Sequence, residues 1–388
     1  MADNFFRNPT RPMIFDGATG TQLQKRGMPA GSCSEKWLLE HPEAIDFQTK
    51  YAQSGADAVY APTFGANRAL LSRHGLGDKV AEYNRALVEL SRKAVGDNVR
   101  VGGDISSTCV VYGSATEAEF EQMVEIYSEQ VEALEAAGVD FYAVETQSAL
   151  SETRAALTAV HALSKKPVLV SYTMNAAGRS FSGGAIPAAL LASLDMGIDA
   201  FGINCVDDPE LIARTLAELR PMTDLPLLVK PNAGLPEMIG DKAVYDLSPV
   251  TMGEMAERFY DLGADFFGGC CGSDENHIAA ISAALSGRTL PKRPAPEGKW
   301  ICSEYAVLPL TGSEKVAELT LDDNFEDNAA ELTDEGAQLL RVRAENAEQL
   351  SLLLASQGSV KLPLQVSFGE EGLRERFLRY YAGRALLC

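Results

Sequence analysis

Four times in the first three-quarters of this chain a Gly-X-Asp tripeptide stands between an amphipathic stretch and a short apolar run: Gly55-Ala56-Asp57, Gly138-Val139-Asp140, Gly197-Ile198-Asp199 and Gly263-Ala264-Asp265. Glycine ends a helix because it enters the left-handed region without a Cβ clash, so each tripeptide reads as a joint from helix to strand. The apolar runs between Met13 and about Leu285 are Met13–Phe15, Ala58–Ala61, Val99–Gly102, Phe141–Val144, Val168–Tyr172, Ala200–Ile203, Leu227–Val229 and Asp265–Phe267. Each is followed by a stretch with helical spacing, for example Glu117–Ala137 after the third and Pro209–Leu219 after the sixth. Eight strand-helix units in succession predict a parallel sheet with helices outside it. That number fits a closed (β/α)8 TIM barrel better than an open doubly wound sheet, placing the chain in the α/β class.

A barrel of this kind needs about 250 residues, and the chain has 388. The surplus lies at the C-terminal end. Residues 288–299, with Pro291, Pro294 and Pro296, read as a linker that separates a barrel domain at 1–287 from a smaller α/β segment at 300–388. In that segment strands are expected at Ala306–Pro309, Gln338–Val342, Leu362–Ser367 and Arg384–Leu387, with helices at Asn328–Gly336, Asn346–Gln357 and Glu371–Tyr381. About four units fit, too few to close a second barrel.

Lys and Arg total 34 against 54 Asp and Glu, a net charge of −20. Such a surface repels phosphate backbones and anionic headgroups, which argues against nucleic acid and membrane as partners. No apolar window reaches the roughly 18 residues of a membrane span, and Met1 to Arg11 lacks the apolar core of a signal peptide. A cytoplasmic enzyme is expected, in which the seven cysteines serve as free thiols, metal ligands or nucleophiles more than as a disulfide framework.

The polar motifs fall just after the strands, at the end of a βα barrel where catalytic residues gather. They are Asp16-Gly-Ala-Thr-Gly-Thr21, Pro62-Thr-Phe-Gly-Ala-Asn67, Glu145-Thr146, Asn204-Cys205, Lys230-Pro-Asn-Ala-Gly-Leu-Pro236 and Gly268-Gly-Cys-Cys-Gly-Ser273. In the last of these, flanking glycines let Cys270 and Cys271 turn toward one center, and the loop after strand six brings Cys205 within reach. Three thiolates suit three corners of a tetrahedral zinc site whose open fourth corner makes it catalytic. At that corner a substrate thiol loses its proton near neutral pH and stays nucleophilic. His277, near the same loop, reads as a helix cap or packing residue.

These motifs resemble, across roughly Met13 to Leu285, the homocysteine S-methyltransferase family, which includes the homocysteine barrel of cobalamin-dependent methionine synthase and betaine-homocysteine methyltransferase. The resemblance is carried by Asp16-Gly-Ala-Thr-Gly-Thr21, Gly202-Ile-Asn-Cys205, Pro231-Asn-Ala-Gly234 and Gly269-Cys-Cys-Gly272. It implies that Cys205, Cys270 and Cys271 ligate zinc and activate homocysteine for conversion to methionine. It also implies that the backbone of Ala18, Thr19, Gly20 and Thr21 holds the amino-acid carboxylate, and that Glu145 and Asn232 hold its ammonium. Asp16 is expected in the same polar shell.

Pro62, the turn Gly103-Asp-Ile-Ser106 and Ser171-Tyr-Thr173 depart from the pattern of the family, on the side that would receive the methyl donor. The stretches Asn328–Ala337 and Leu362–Phe368 resemble the opening half of the pterin-binding barrel of methionine synthase. This points to methylcobalamin on a separate corrinoid protein as donor. Betaine or a sulfonium compound would want an aromatic box, for which Tyr60, Phe64, Tyr112, Tyr172 and Phe181 are the candidates. A related acceptor such as selenohomocysteine, or a non-catalytic zinc-stabilised subunit that docks a corrinoid or methyltransferase partner, are the other readings.

Overall fold

The computed structural model describes residues 5–110, 114–239, 242–293 and 295–388. Eight parallel strands form one sheet: β1 Met13–Ile14, β2 Ala58–Tyr60, β3 Arg100–Ile105, β4 Phe141–Gln147, β5 Val168–Tyr172, β6 Ala200–Asn204, β7 Leu227–Lys230 and β8 Phe266–Phe267. Each strand pairs with its neighbours in sequence, β8 returns to β1, and a parallel bridge from Phe15 to Ala58 joins β1 to β2. The sheet is therefore a nearly closed barrel with the helices outside it, as the alternation of the sequence predicts.

The Gly-X-Asp repeat has a common structural job. Each aspartate enters an even-numbered strand and accepts a hydrogen bond from a backbone N–H of the odd-numbered strand beside it. Asp57 accepts from Ile14 at 2.9 Å, Asp140 from Val101 at 2.7 Å, Asp199 from Val168 at 2.9 Å and Asp265 from Leu227 at 3.0 Å. An arginine answers each charge: Arg11, Arg92 and Arg7 for the first three, and both Arg220 and Arg293 for Asp265. The repeat thus staples the strands in pairs at the end of the barrel opposite the catalytic loops.

Inside the barrel, Met13, Phe15, Tyr60, Phe141, Leu228 and Phe266 pack together, and Phe6 closes the bottom with its ring 5.1 Å from Phe141 and 5.3 Å from Phe266. Parallel strands buried on both faces lack polar alternation, which is why they read as short continuous apolar runs. The helices Glu117–Ala137 and Pro209–Leu219 match their expected limits. A reciprocal cap between Thr116 and Glu119 starts the first, and Gly138 at φ 78° ends it.

β3 runs on to Ile105, so Gly103, Asp104 and Ile105 belong to a strand and not to the expected turn. Two antiparallel hairpins were not expected: Glu237–Ile239 with Lys242–Val244, and Lys299–Cys302 with Val307–Leu310. The second takes up both the end of the linker and the run expected to open the C-terminal sheet. That sheet starts instead at Val316–Glu318 and continues in parallel through Leu339–Ala344, Leu364–Phe368 and Leu386–Leu387.

Its helices Phe325–Asp334, Ala347–Ala355 and Glu371–Tyr380 cover one face around a separate apolar core that includes Phe325, Leu340, Val342, Leu350, Val366 and Phe377. Ion pairs fasten this unit to the outer helices of the barrel: Arg376 to Glu117, Arg379 to Glu121 at 2.6 Å and Arg384 to Asp195 at 2.6 Å. Arg154 also donates to the carbonyl oxygens of Leu378 and Arg379. Among the described residues no helix is long and apolar enough to cross a membrane.

Candidate active site at the C-terminal end of the barrel

The loops after β1, β7 and β8 are knitted by backbone bonds that fix the cysteines. Cys270 N–H donates to Pro231 O at 2.7 Å, Ala233 N–H to Cys271 O at 2.9 Å, and Gly269 N–H to Asp16 O at 2.9 Å. Ser273 bridges two loops, donating from Oγ to Cys270 O at 2.7 Å and accepting from Ala18 N–H at 3.1 Å. A Cβ on Gly269 would stand 2.3 Å from that Oγ, and one on Gly272, at φ 84°, would stand 2.2 Å from the Tyr245 ring. Only glycine fits beside the two cysteines.

Cys205 leaves β6 with φ 56°, and its N–H donates to Lys230 O at 3.1 Å. Thr146, at the irregularity in β4 between Val144 and Gln147, has φ 55°, and its Oγ1 accepts from Asn204 Nδ2 at 2.7 Å. Non-glycine residues in the left-handed region are uncommon and cluster at functional sites. Here the turn carries the Cys205 thiol to Cys270 and Cys271.

The three sulfurs lie within 4.8 Å of one another. Cys205 Sγ is 3.7 Å from Cys271 Sγ and 2.7 Å from Cys270 Sγ. Zinc–sulfur bonds of about 2.3 Å give a tetrahedral edge of roughly 3.8 Å. The first separation matches that edge, and the second must open by about 1 Å to seat an ion. Soft donors, convergence and partial burial make the trio fit to hold zinc. Hydrogen bonds from Cys205 and Cys270, aided by Tyr245, hold the Cys271 thiol down at about 3 against the effect of burial. The same hydrogen bonds, with burial, push Cys270 well above the usual thiol range.

A cleft of about 870 Å³, open to solvent, runs from the thiols across the top of the barrel. Asp16, Gly17, Ala18, Thr19, Gly20, Glu145 and all three cysteines line it. Its floor is a layer of buried charges at the strand ends. Lys230 Nζ, at the end of β7, lies 2.9 Å from Asp16 Oδ1, 3.3 Å from Glu145 Oε1 and 3.7 Å above the Tyr60 ring. Asp16 Oδ2 accepts from Tyr60 N–H at 2.7 Å. Burial opposes the Lys230 charge, yet Asp16 and Glu145 outweigh it and hold the ammonium well above the ordinary lysine range. Burial raises Asp16 and Glu145, and Lys230 pulls both back.

The expected substrate residues occupy different positions around this floor. Ala18 N–H is already engaged by Ser273, which leaves Thr19, Gly20 and Thr21, at the start of the short helix Gly20–Lys25, to offer N–H groups without intrahelical acceptors. Thr21 Oγ1 accepts from Gly272 N–H at 3.1 Å. Asn232 stands beside the thiol loop and is not part of the cleft wall; its N–H donates to Val206 O, and its buried Oδ1 has no hydrogen-bond partner among the described residues. His277 forms a reciprocal cap with Asp274 and contacts Leu247 O at 2.9 Å.

Lys230, Asp104, Ser273 and Tyr245 are site residues to which the sequence reading gave no individual role. The signal for Lys230 was a lysine completing the apolar strand Leu227-Leu-Val, and for Asp104 an aspartate continuing the run Val101-Gly-Gly.

Residues 13–285 match the family model described as homocysteine S-methyltransferase. Methionine synthase from Mycobacterium tuberculosis (strain ATCC 25618 / H37Rv) is 27% identical over 425 residues, which span 97% of this chain and 35% of that protein. Methionine synthase from Mycobacterium leprae (strain TN) is 30% identical over 297 residues, spanning 71% of this chain and 24% of that protein. The chain therefore spans about a third or less of the length of these relatives. The metallated form of the homocysteine methyltransferase MmuM from Escherichia coli superposes with a TM-score of 0.60 at 26% identity, over 71% of this chain and 96% of that one. Its oxidized form gives 0.58 at 25% identity, over 70% and 95%. Matched from its first barrel strand to the helix after its last, the chain belongs to the homocysteine S-methyltransferase family.

Proposed function

We propose that this chain transfers a methyl group to homocysteine, forming methionine, with zinc held by Cys205, Cys270 and Cys271. The observation that carries the reading is the convergence of three thiols on one wall of a cleft whose floor is Asp16, Lys230 and Glu145, within a barrel of this family. When bound, zinc supplies a Lewis acid that lowers the proton affinity of a thiol sulfur at its open position.

The chain's own residues then bind and orient. The N–H groups of Thr19, Gly20 and Thr21 receive the amino-acid carboxylate, and the Glu145 oxygen not facing Lys230 receives the ammonium. Lys230 favours the ionised forms of Asp16 and Glu145 against the effect of burial and fixes both side chains. Methyl transfer to sulfur is an in-line displacement, so positioning and exclusion of water matter more than a general base.

For the donor we favour methylcobalamin presented by a separate corrinoid protein. Of the four described aromatic side chains named for a cation box, Tyr60 and Phe64 line the cleft, but Lys230 covers the Tyr60 face, and Tyr172 is buried with its hydroxyl 2.6 Å from Thr153 Oγ1. Phe181 is 68% exposed and away from the cleft; Tyr112 lies outside the described residues. The Mycobacterium tuberculosis match, which extends over the C-terminal unit, supports the same choice. The test is methionine formation by zinc-loaded protein from homocysteine against a panel of donors: methylcobalamin free and protein-bound, betaine and a methylsulfonium compound. Turnover with the corrinoid donor alone supports the reading, turnover only with betaine or the sulfonium moves the donor, and no methionine with any of them overturns the activity.

A further inference from the structure

The floor of the cleft holds more acidic groups than its lysine answers, and burial, with Glu145 nearby, pushes Asp104 well above the ordinary aspartate range in the absence of a bound cation. Asp16, Glu35, Asp104 and Glu145 are four buried acidic residues on the cleft wall, and among the described residues Lys230 is the ammonium set beside them; Glu35 already accepts from Gly65 N–H at 2.8 Å and from Ser34 Oγ at 3.0 Å. Lys230 spends its contacts on Asp16 and Glu145. Asp104 is 6% exposed, its Oδ1 has no hydrogen-bond partner among the described residues, and Lys230 does not bond it. A buried carboxylate oxygen without a donor is costly, and such a group in a binding cleft points to a ligand that supplies the donor.

The placement of Asp104 follows from the register. Asp104 pairs with Ala143 in β4, the strand that carries Glu145 two residues further on. A Cβ on Gly102 would meet the inward Phe141 ring and one on Gly103 would meet Leu134 of an outer helix, so Asp104, two residues after Gly102, points inward like Glu145. The backbone around Asp104 is held firmly: its N–H donates to Thr63 Oγ1 at 3.0 Å, and its carbonyl oxygen accepts from the same hydroxyl at 2.9 Å. The side chain's Oδ1 is left without a hydrogen-bond partner among the described residues.

We infer that Asp104 is the second arm of an ammonium clamp, receiving one N–H of the substrate α-ammonium while Glu145 receives another. The inference rests on the amino-acid thiol reading of the site. With the thiol at the cysteines and the carboxylate at Thr19 to Thr21, the ammonium is the remaining charge of the substrate, and the floor of the cleft holds the unanswered carboxylates. Asp104 acts here as a specificity-determining residue: it selects a thiol that carries an α-ammonium over one that does not.

The experiment is calorimetric binding of homocysteine and of 4-mercaptobutanoate, which lacks only the ammonium, to zinc-loaded wild type, Asp104→Asn, Asp104→Ser and Glu145→Gln, with zinc content measured on each. Wild type is expected to prefer homocysteine. Asp104→Asn and Asp104→Ser are expected to weaken homocysteine by roughly tenfold or more and to leave 4-mercaptobutanoate within about twofold. Glu145→Gln is expected to keep part of the preference, because Asp104 remains. Equal weakening of both thiols, no change for either, or complete loss of the preference in Glu145→Gln overturns the inference. A wild type that binds neither thiol overturns the proposed function itself, a result distinct from any of these.

Discussion

Lys230 Nζ stands 2.9 Å from Asp16 Oδ1 with the two side chains only 3% and 2% exposed, an ion pair built into the top of the barrel core. It joins the loop after β1 to the end of β7 and sets the floor on which the substrate pocket rests. Burial of this kind contributes little net stability against an apolar pair, but removing one partner strands the other. Lys230→Met should therefore cost about 3–5 kcal/mol, read as a fall in the urea midpoint with the slope unchanged. Adding Asp16→Asn to Lys230→Met should recover part of the loss, and a double variant no better than the single one would show that the pair is not the origin of the cost.

The paired staples at the other end of the barrel differ in burial, and their costs should follow. Asp265 is 4% exposed between Arg220 and Arg293, while Asp140 is 36% exposed beside Arg92 alone. Asp265→Ala leaves a strand N–H without its acceptor and two partly buried guanidinium groups, which keep only carbonyl acceptors, without their counter-charge, for a loss of about 3 kcal/mol. Asp140→Ala should cost about 1 kcal/mol. Thermal unfolding of the two variants checks the order.

Docking of the C-terminal unit should weaken in acid. Hydrogen bonding from Arg379, opposed by burial, holds Glu121 below the ordinary glutamate range. A carboxylate depressed in the folded state stabilises fully above its unfolded value near 4.5, and the contribution fades as pH falls through the folded value. The pair is about 40% exposed on each side, so its share is small, about 0.5 kcal/mol or less. Amide protection factors in Glu371–Tyr380, which correct for the pH dependence of intrinsic exchange, should fall from pH 6 to pH 3 by more than those of the barrel helices, and Arg379→Ala should remove much of that difference.

The cysteines divide into two groups. Cys205→Ser, Cys270→Ser or Cys271→Ser should each drop bound zinc from about one per chain to a small fraction after dialysis against a weak chelator. Cys33→Ser and Cys302→Ser should retain it, since these thiols lie outside the trio. Metal analysis of the five variants decides the matter.

The barrel and the thiol trio were legible in the sequence because both depend on local signals. Glycines at joints, apolar runs of strand length and cysteines just after strands each state their role within a few residues. The charged floor was not legible, because whether Asp104 and Lys230 are loop residues or inward strand ends depends on where β3 and β7 stop, and one residue of register turns a side chain from the core to the outside. The C-terminal sheet shows the same limit: Val316–Glu318 is three residues long and carries a charge, so only its pairing with Leu339–Arg341 makes it a strand. The antiparallel partner of Val307–Leu310 lies in Lys299–Cys302, at the end of a linker whose composition hides it. Pro294 of that linker lies outside the described residues.

The most direct measurement is methionine formed from homocysteine and protein-bound methylcobalamin by three preparations: zinc-loaded wild type, wild type stripped of metal, and Cys271→Ala with its fold confirmed by circular dichroism. Turnover in the first, none in the third, and recovery of the second on adding zinc is the predicted result. Equal methionine from all three would contradict a reaction that depends on metal held by Cys205, Cys270 and Cys271.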